Sequence, residues 1–368
     1  AQVLRGSLER PPVTADERRC ETCSLAPVCL PEETRLAADS EFRAIRLLPP
    51  HPDGQTLHVL EHGAHVGRDG EQLVVRPREG SPTRVPIANV DQLVLHGFAQ
   101  VSTQAIRLCA DHDVGVHWMT FGGGLVGSLA PGAASAQRQL RQFKALADDA
   151  RAIELARRLV HAKVEGQLRF VLRATRGEPR SDEVEAALGA MRTALRHVAR
   201  VHERGLLLGH EGAAAAAYFG VFAKLLSADL DPRLSFVGRT RRPPHDRLSA
   251  ILGYAYGMLY REVLQAIVSV GLHPGVGFYH QPRSAAHCLA LDLVELFRVA
   301  IVDMAVVAAL NRRTFDAAAD FDEQPGQVFL TESGRRKVIE TIERRKTDVW
   351  KHDVVGYSIS YARMIELE

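Results

Sequence analysis

Between Phe42 and Leu129 the apolar residues fall in short runs separated by turn residues. Thr56 to Leu60, Gln72 to Arg76 and Val90 to Leu95 each have strand length and β-type composition, with Pro-Asp-Gly, Arg-Asp-Gly and Glu-Gly-Ser-Pro between them. The amphipathic stretch Ser102 to Asp111 predicts a short helix, and Val114 to Trp118 a further strand. Phe121-Gly122-Gly123-Gly124 through Gly127 lacks the Lys-Ser/Thr of a phosphate loop and is flanked by β-type residues, so a hairpin turn is expected. Asp111-His112-Asp113 has residue types that suit metal ligands, and a polar turn between helix and strand explains it equally well.

After Pro131-Gly132 the period changes. Ala136 to Arg176 carries one long helical pattern rich in Ala, Arg, Leu and Gln. Asp182 to Val201, His210 to Leu226, Arg247 to Val270, Ala286 to Arg312 and Glu332 to Lys346 continue with helical spacing. The expected fold is therefore α+β, with a small N-terminal β-sandwich-like domain followed by a larger all-α catalytic domain. Expected boundaries are 1–33 for a Pro-, Cys- and charge-rich segment, 34–132 for the β-rich part and 133–368 for the helical part.

Composition changes this picture little. At 368 residues and 46% hydrophobic, the chain has length for about two domains and a core that needs no disulfides. No apolar run approaches the roughly 18 residues of a membrane span, and no signal peptide opens the chain, so a cytoplasmic protein with no membrane partner is expected. The first residue is Ala1, and the opening stretch reads as a fragment or processed product. A net charge of +2 gives no bulk sign of nucleic-acid binding. Arg nevertheless clusters at Arg239, Arg241, Arg242 and Arg247, and again from Arg335 to Lys346; such clusters form either phosphate-binding surfaces or ordinary solvated faces. Three of five cysteines, Cys20, Cys23 and Cys29, fall within ten residues, which suggests a metal or cluster; Cys109 and Cys288 have the surroundings of core thiols.

The candidate chemistry lies in the C-terminal half. Glu211 precedes Gly212 and five alanines, a setting that admits a close neighbour. His280 projects from a Gly- and Pro-rich segment. Asp292, Glu295 and Arg298 recur every three residues, and this period alone favours a solvated stripe with a Glu295–Arg298 ion pair over two carboxylates aimed into a site. An imidazole with several carboxylates makes a plausible hard-metal site, and none of these signals is specific by itself.

Four blocks in order carry more. Gly209-His-Glu-Gly-Ala-Ala-Ala-Ala-Ala-Tyr218, Arg239-Thr-Arg-Arg-Pro-Pro-His-Asp246 with Leu252 to Tyr260, Gly271 to His280, and Leu289 to Arg298 together resemble the CRISPR-associated endonuclease that serves as integrase of the spacer-acquisition complex. The resemblance runs from about Arg43 to Glu368. It implies a Mg2+ or Mn2+ ion held by Glu211, His280 and Glu295, with Asp292 as a supporting carboxylate, and phosphate contacts from Arg239, Arg241, Arg242 and Arg247. Ser249, Cys288 and Val299 depart from the residues common in the family, and none of them is an implied ligand. The implied partners are double-stranded DNA (prespacer and CRISPR repeat), a second copy in a homodimer and a small ferredoxin-fold adaptation protein. Arg19 to Cys29 resembles the C-terminal cysteine block of the CRISPR-associated iron–sulfur exonuclease, which is sometimes fused ahead of this integrase. That implies a 4Fe-4S cluster on Cys20, Cys23, Cys29 and an upstream Cys. A non-catalytic scaffold for DNA ends and a stand-alone nuclease for branched DNA are the competing expectations.

Overall fold

The computed structural model describes residues 55–129, 136–177, 179–236, 238–240, 243–280, 287–351 and 358–367. Cys20, Cys23, Cys29, Arg241 and Arg242 lie outside the described residues.

The N-terminal part holds two four-stranded sheets. Strands β1 (Gln55–Val59), β5 (Val90–His96), β7 (Gly115–Met119) and β8 (Leu125–Leu129) form one, in the order β1-β5-β7-β8. The other has the order β4-β3-β2-β6, from β2 (His65–Asp69), β3 (Gln72–Arg76), β4 (Thr83–Pro86) and β6 (Gln100–Val101). Their apolar faces share one core with α1 (Thr103–Asp111), including Val66, Leu73, Leu93, Leu95, Leu108 and Cys109. Ser102 caps α1 through the amide of Ala105, and Asp113 turns the chain in the left-handed region (φ 58°). The glycine run is a hairpin turn between antiparallel β7 and β8, as expected. Gly123 (φ 82°) packs so closely on Gly257 that a Cβ at Gly257 would lie 1.7 Å from its carbonyl oxygen. This seats the turn against the helical part.

From Ala136 onward helices dominate. They are α2 (Ala136–Leu146), α3 (Asp149–Ala174), α4 (Asp182–Val198), α5 (Arg204–Gly220), α6 (Arg247–Ser269), α7 (Cys288–Phe297), α8 (Met304–Asn311), α9 (Glu332–Thr347) and α10 (Tyr361–Leu367). The single helix expected over 136–176 is two, because the Asp148 side chain accepts from the amides of Ala150 and Arg151 and starts a new helix. α7 and α8 are joined by a π-helical turn, Arg298–Asp303. Two antiparallel strand pairs add to the expected helices: β9 (Phe321–Gln324) with β10 (Gln327–Leu330), and β11 (Val349–Lys351) with β12 (Ser358–Ser360). α6 is buried on nearly every side and forms the centre of the core. Asp246 caps it, with Oδ1 accepting from the Ser249 amide and Oδ2 from the Ser249 hydroxyl, both at 2.7 Å.

A buried polar network joins the first sheet to α6 and α9. Arg261, fully buried, reaches Gln92 and Glu262; Lys346 Nζ donates to Glu262 at 2.6 Å and to Glu343 at 2.9 Å. His58 lies 3.4 Å from Glu343 and 3.1 Å from His96, whose Nδ1 is 2.9 Å from the Tyr254 hydroxyl. The second basic cluster is thus partly structural. Lys346 is buried, Arg345 donates to the Ala300 carbonyl, and Lys337 pairs with Asp320.

Burial, with smaller contributions from nearby cations, pushes His96 down to about 2 and His117 down to about 3, and burial lowers His58 as well. The folded state therefore keeps these rings neutral, while the unfolded chain protonates them near pH 6.5. Stability is full above that value and falls as pH drops below it, by about 1.4 kcal/mol per pH unit for each proton taken up on unfolding. Urea unfolding at pH 7.5 and 5.5 should show the lower stability at 5.5, and His96→Gln should shrink the difference. Equal stabilities of the unsubstituted chain would refute the assignment.

Candidate active site

Glu211 lies in the middle of α5, on the face that carries Leu207, Ala214 and Tyr218 into the core. His280 ends the described part of the loop after α6, and Glu295 and Asp292 stand on α7. Burial overturns the solvated-stripe reading of α7: Asp292 is fully buried and Glu295 is 5% exposed. The cause is visible in α7 itself, which is apolar around the rest of its circumference: Leu289, Ala290, Val294 and Phe297 are buried and Leu291, Leu293 and Leu296 half-buried, so none of its residues is fully exposed.

Asp292 organises the His280 loop. Its Oδ2 accepts the amides of Phe278 (2.7 Å) and Tyr279 (2.9 Å), and its Oδ1 accepts the amide of His280 (2.8 Å) and lies 2.6 Å from His280 Nδ1. A carboxylate against Nδ1 fixes the proton there and leaves Nε2 as the ring's donor atom. Gly277 permits this approach, since a Cβ there would sit 2.4 Å from Asp292 Oδ2. Arg204 at the start of α5 holds the loop through the Phe278 carbonyl at 3.1 Å.

Three further contacts bring the elements together. The Tyr279 hydroxyl donates to Glu211 Oε2 at 2.9 Å. Lys163 of α3 hydrogen-bonds Glu211 Oε1 and lies 2.7 Å from Glu295 Oε2. Arg298 pairs with Glu295 Oε1 at 2.9 Å. Burial alone would raise the Glu295 carboxyl, but Arg298 and Lys163 outweigh it and hold it below the usual range. Burial and the Glu211 charge push the Tyr279 phenol up, so it stays a hydrogen-bond donor. Among the described residues no three His, Cys, Asp or Glu side chains already form a group able to hold a metal. Glu211 and Glu295 are instead both engaged by the Lys163 ammonium.

The arginines behave differently from one another. Arg239 lies over the rings of Phe219 (5.1 Å) and Tyr256 (4.6 Å), and Arg298 is also against Tyr256 at 4.9 Å. Beneath them the hydroxyls of Tyr256 and Tyr218 donate to buried Asp303 in the π-helical turn. Arg247 is engaged by the carbonyls of Ala317 and Arg233 and by Glu323. Sequence reasoning did not single out Lys163 or Tyr279. Lys163 had a signal: with Gln167 it interrupts the apolar stripe Ala156, Leu159, Val160, Val164, Phe170, Val171, where a polar side chain needs a buried partner.

A family model described as CRISPR associated protein Cas1 matches residues 57–344. A Myxococcus xanthus protein described as a CRISPR-associated exonuclease Cas4/endonuclease Cas1 fusion is 51% identical over 100% of this chain, which spans 65% of that relative's own length. A Chlorobaculum tepidum CRISPR-associated endonuclease Cas1 is 31% identical, covering 82% of this chain and 89% of its own. Among solved structures, a casposase bound to integration product superposes with a TM-score of 0.73 at 25% identity, covering 85% of this chain and 88% of the other. None of the described helices is long and apolar enough to cross a membrane.

Proposed function

Since the chain belongs to the CRISPR-associated Cas1 family, we propose that it is a metal-dependent DNA endonuclease and integrase that inserts short foreign DNA fragments into a CRISPR array. The 3′-hydroxyl of the incoming duplex gives up its proton as its oxygen forms a bond to phosphorus at the repeat boundary. The phosphodiester bond there breaks, and its departing oxygen takes up a proton. The observation that carries this reading is the meeting of Glu211 and Glu295 at one ammonium, beside a loop whose Tyr279 hydrogen-bonds Glu211 and whose His280 is fixed through Nδ1 by a buried carboxylate. Two carboxylates and an imidazole nitrogen are a donor set that fits Mn2+ or Mg2+. When bound, such an ion would polarise the phosphoryl oxygens and lower the pKa of the attacking hydroxyl. Asp292 orients the His280 ring, and Tyr279 orients the Glu211 carboxylate.

Arg239, Arg241 and Arg242, with Arg298, are proposed to contact the DNA backbone, which makes binding salt-sensitive and only loosely sequence-specific. The structure gives Arg247 a different duty, tying the start of α6 to β9 through Glu323, so its contribution to DNA binding is expected to be the smallest. The proposed partners are duplex prespacer and repeat DNA, a second copy of the chain and a small ferredoxin-fold adaptation protein, in the cytoplasm. Cys20, Cys23 and Cys29 are proposed as three ligands of a 4Fe-4S cluster. The cysteine segment falls within the stretch matched by a protein described as a CRISPR-associated exonuclease Cas4/endonuclease Cas1 fusion.

The test uses a short duplex and a supercoiled plasmid carrying a CRISPR repeat, with Mn2+. Duplex ends bearing a 3′-hydroxyl should be joined to the plasmid, and 3′-deoxy ends should give no joined product. Joining of the 3′-deoxy duplex would sink the transesterification reading.

A further inference from the structure

Among the described residues Lys163 is the one basic residue that touches both proposed metal-binding carboxylates, and its side chain is only 9% exposed. Its ammonium hydrogen-bonds Glu211 Oε1 and stands 2.7 Å from Glu295 Oε2. It reaches this position from the interior of α3, a helix capped at Asp148 and packed through Ala156, Leu159, Val160 and Val164, so its backbone anchor is rigid. Two carboxylates facing one buried site repel each other, and leaving either without a counter-charge is costly. Arg298 offsets part of the Glu295 charge, and with no metal between the two carboxylates the Lys163 ammonium offsets their repulsion.

We infer that Lys163 is a built-in counter-cation that holds Glu211 and Glu295 in the metal-free protein and competes with the divalent ion for the same two carboxylates. Metal entry displaces the ammonium from at least one of them, so Lys163 sets the metal concentration at which the site fills. It is a positioning residue acting through Glu211 and Glu295. This inference rests on the proposal that those two residues bind the metal.

Replacing Lys163 separates this role from simple structural support. Lys163→Met keeps the length of the side chain and removes the charge. The metal-free protein should melt at a lower temperature, while calorimetric Mn2+ affinity should tighten by about tenfold, equivalent to about 1.4 kcal/mol. The melting temperature gained on adding Mn2+ should grow accordingly. Lys163→Arg keeps a cation with a wider hydrogen-bonding fork and should weaken Mn2+ binding several-fold. A purely structural Lys163 would lower stability in both states without tightening metal binding. Unchanged or weaker Mn2+ binding in Lys163→Met overturns the inference, and if that variant does not fold, unchanged or tighter binding in Lys163→Arg does so. Glu211→Ala and Glu295→Ala are measured alongside. Retention of full Mn2+ affinity in both would instead refute the metal assignment itself.

Discussion

Glu211→Ala is expected to abolish strand transfer, by about a thousandfold or more, in a protein that still folds. Loss of a metal-binding carboxylate removes several kcal/mol of stabilisation from charge that develops on the phosphoryl oxygens, and each 1.36 kcal/mol is a factor of ten in rate. The structural cost is small by comparison. Glu211 sits at the edge of the core with 18% of its side chain exposed, and its two partners are Lys163 and Tyr279. Lys163 keeps Glu295 after the substitution, and the Tyr279 hydroxyl loses one hydrogen bond, worth about 1 kcal/mol. The measurement is the yield of joined product at fixed Mn2+, with circular dichroism and a melting curve on the same sample. Product formed at the unsubstituted rate by the well-folded variant would leave the integrase reading without its metal.

The elements that the sequence announced share one property: their signals are local. β1, β3, β5 and β7 are short apolar runs between turn residues, and α1 carries its own cap at Ser102. β4 and β6 lacked such signals, being only four and two residues long, and β9 was hidden by its polar surface run Asp322-Glu323-Gln324. The break at Asp148 was missed because strong helix formers stand on both sides of it and mask a capping side chain. Residue types and order pointed to the right elements: Glu211 and Glu295 share one ammonium, and the loop that carries His280 is tied to Glu211 through Tyr279. Periodicity did not reveal the burial of the site. A three-residue repeat says which face Asp292 and Glu295 share, not whether that face is wet, and the answer came from the apolar residues on every other face of α7. Lys163 showed only as a polar residue in an apolar stripe, and its role did not, because its partners are 48 and 132 residues away and only the packed helices bring α3 against α5 and α7.

Asp292→Asn separates support of the site from chemistry within it, and its expected signature is loss of both stability and activity. The fully buried carboxylate accepts three backbone amides and the imidazole Nδ1–H, all at 2.6–2.9 Å. An amide in its place offers one accepting oxygen and one NH2, and that NH2 must face N–H donors whichever way it is turned. At least one charge-assisted hydrogen bond is lost and buried donors are left unpaired, so the fold should lose about 3–5 kcal/mol. With the His280 ring less firmly held, metal affinity and strand transfer should fall about 10–100-fold. Urea unfolding measures the first effect and calorimetric Mn2+ titration the second. Nitrogen-15 chemical shifts of the His280 ring supply a third readout, because the proton held at Nδ1 by Asp292 is no longer fixed there. A variant with unchanged stability and an unchanged His280 tautomer would show that the loop is held by other contacts, among them the Arg204–Phe278 bond. The pairing with Glu211→Ala is then diagnostic: loss of activity without loss of stability belongs to a ligand, and loss of both belongs to the carboxylate that aims one.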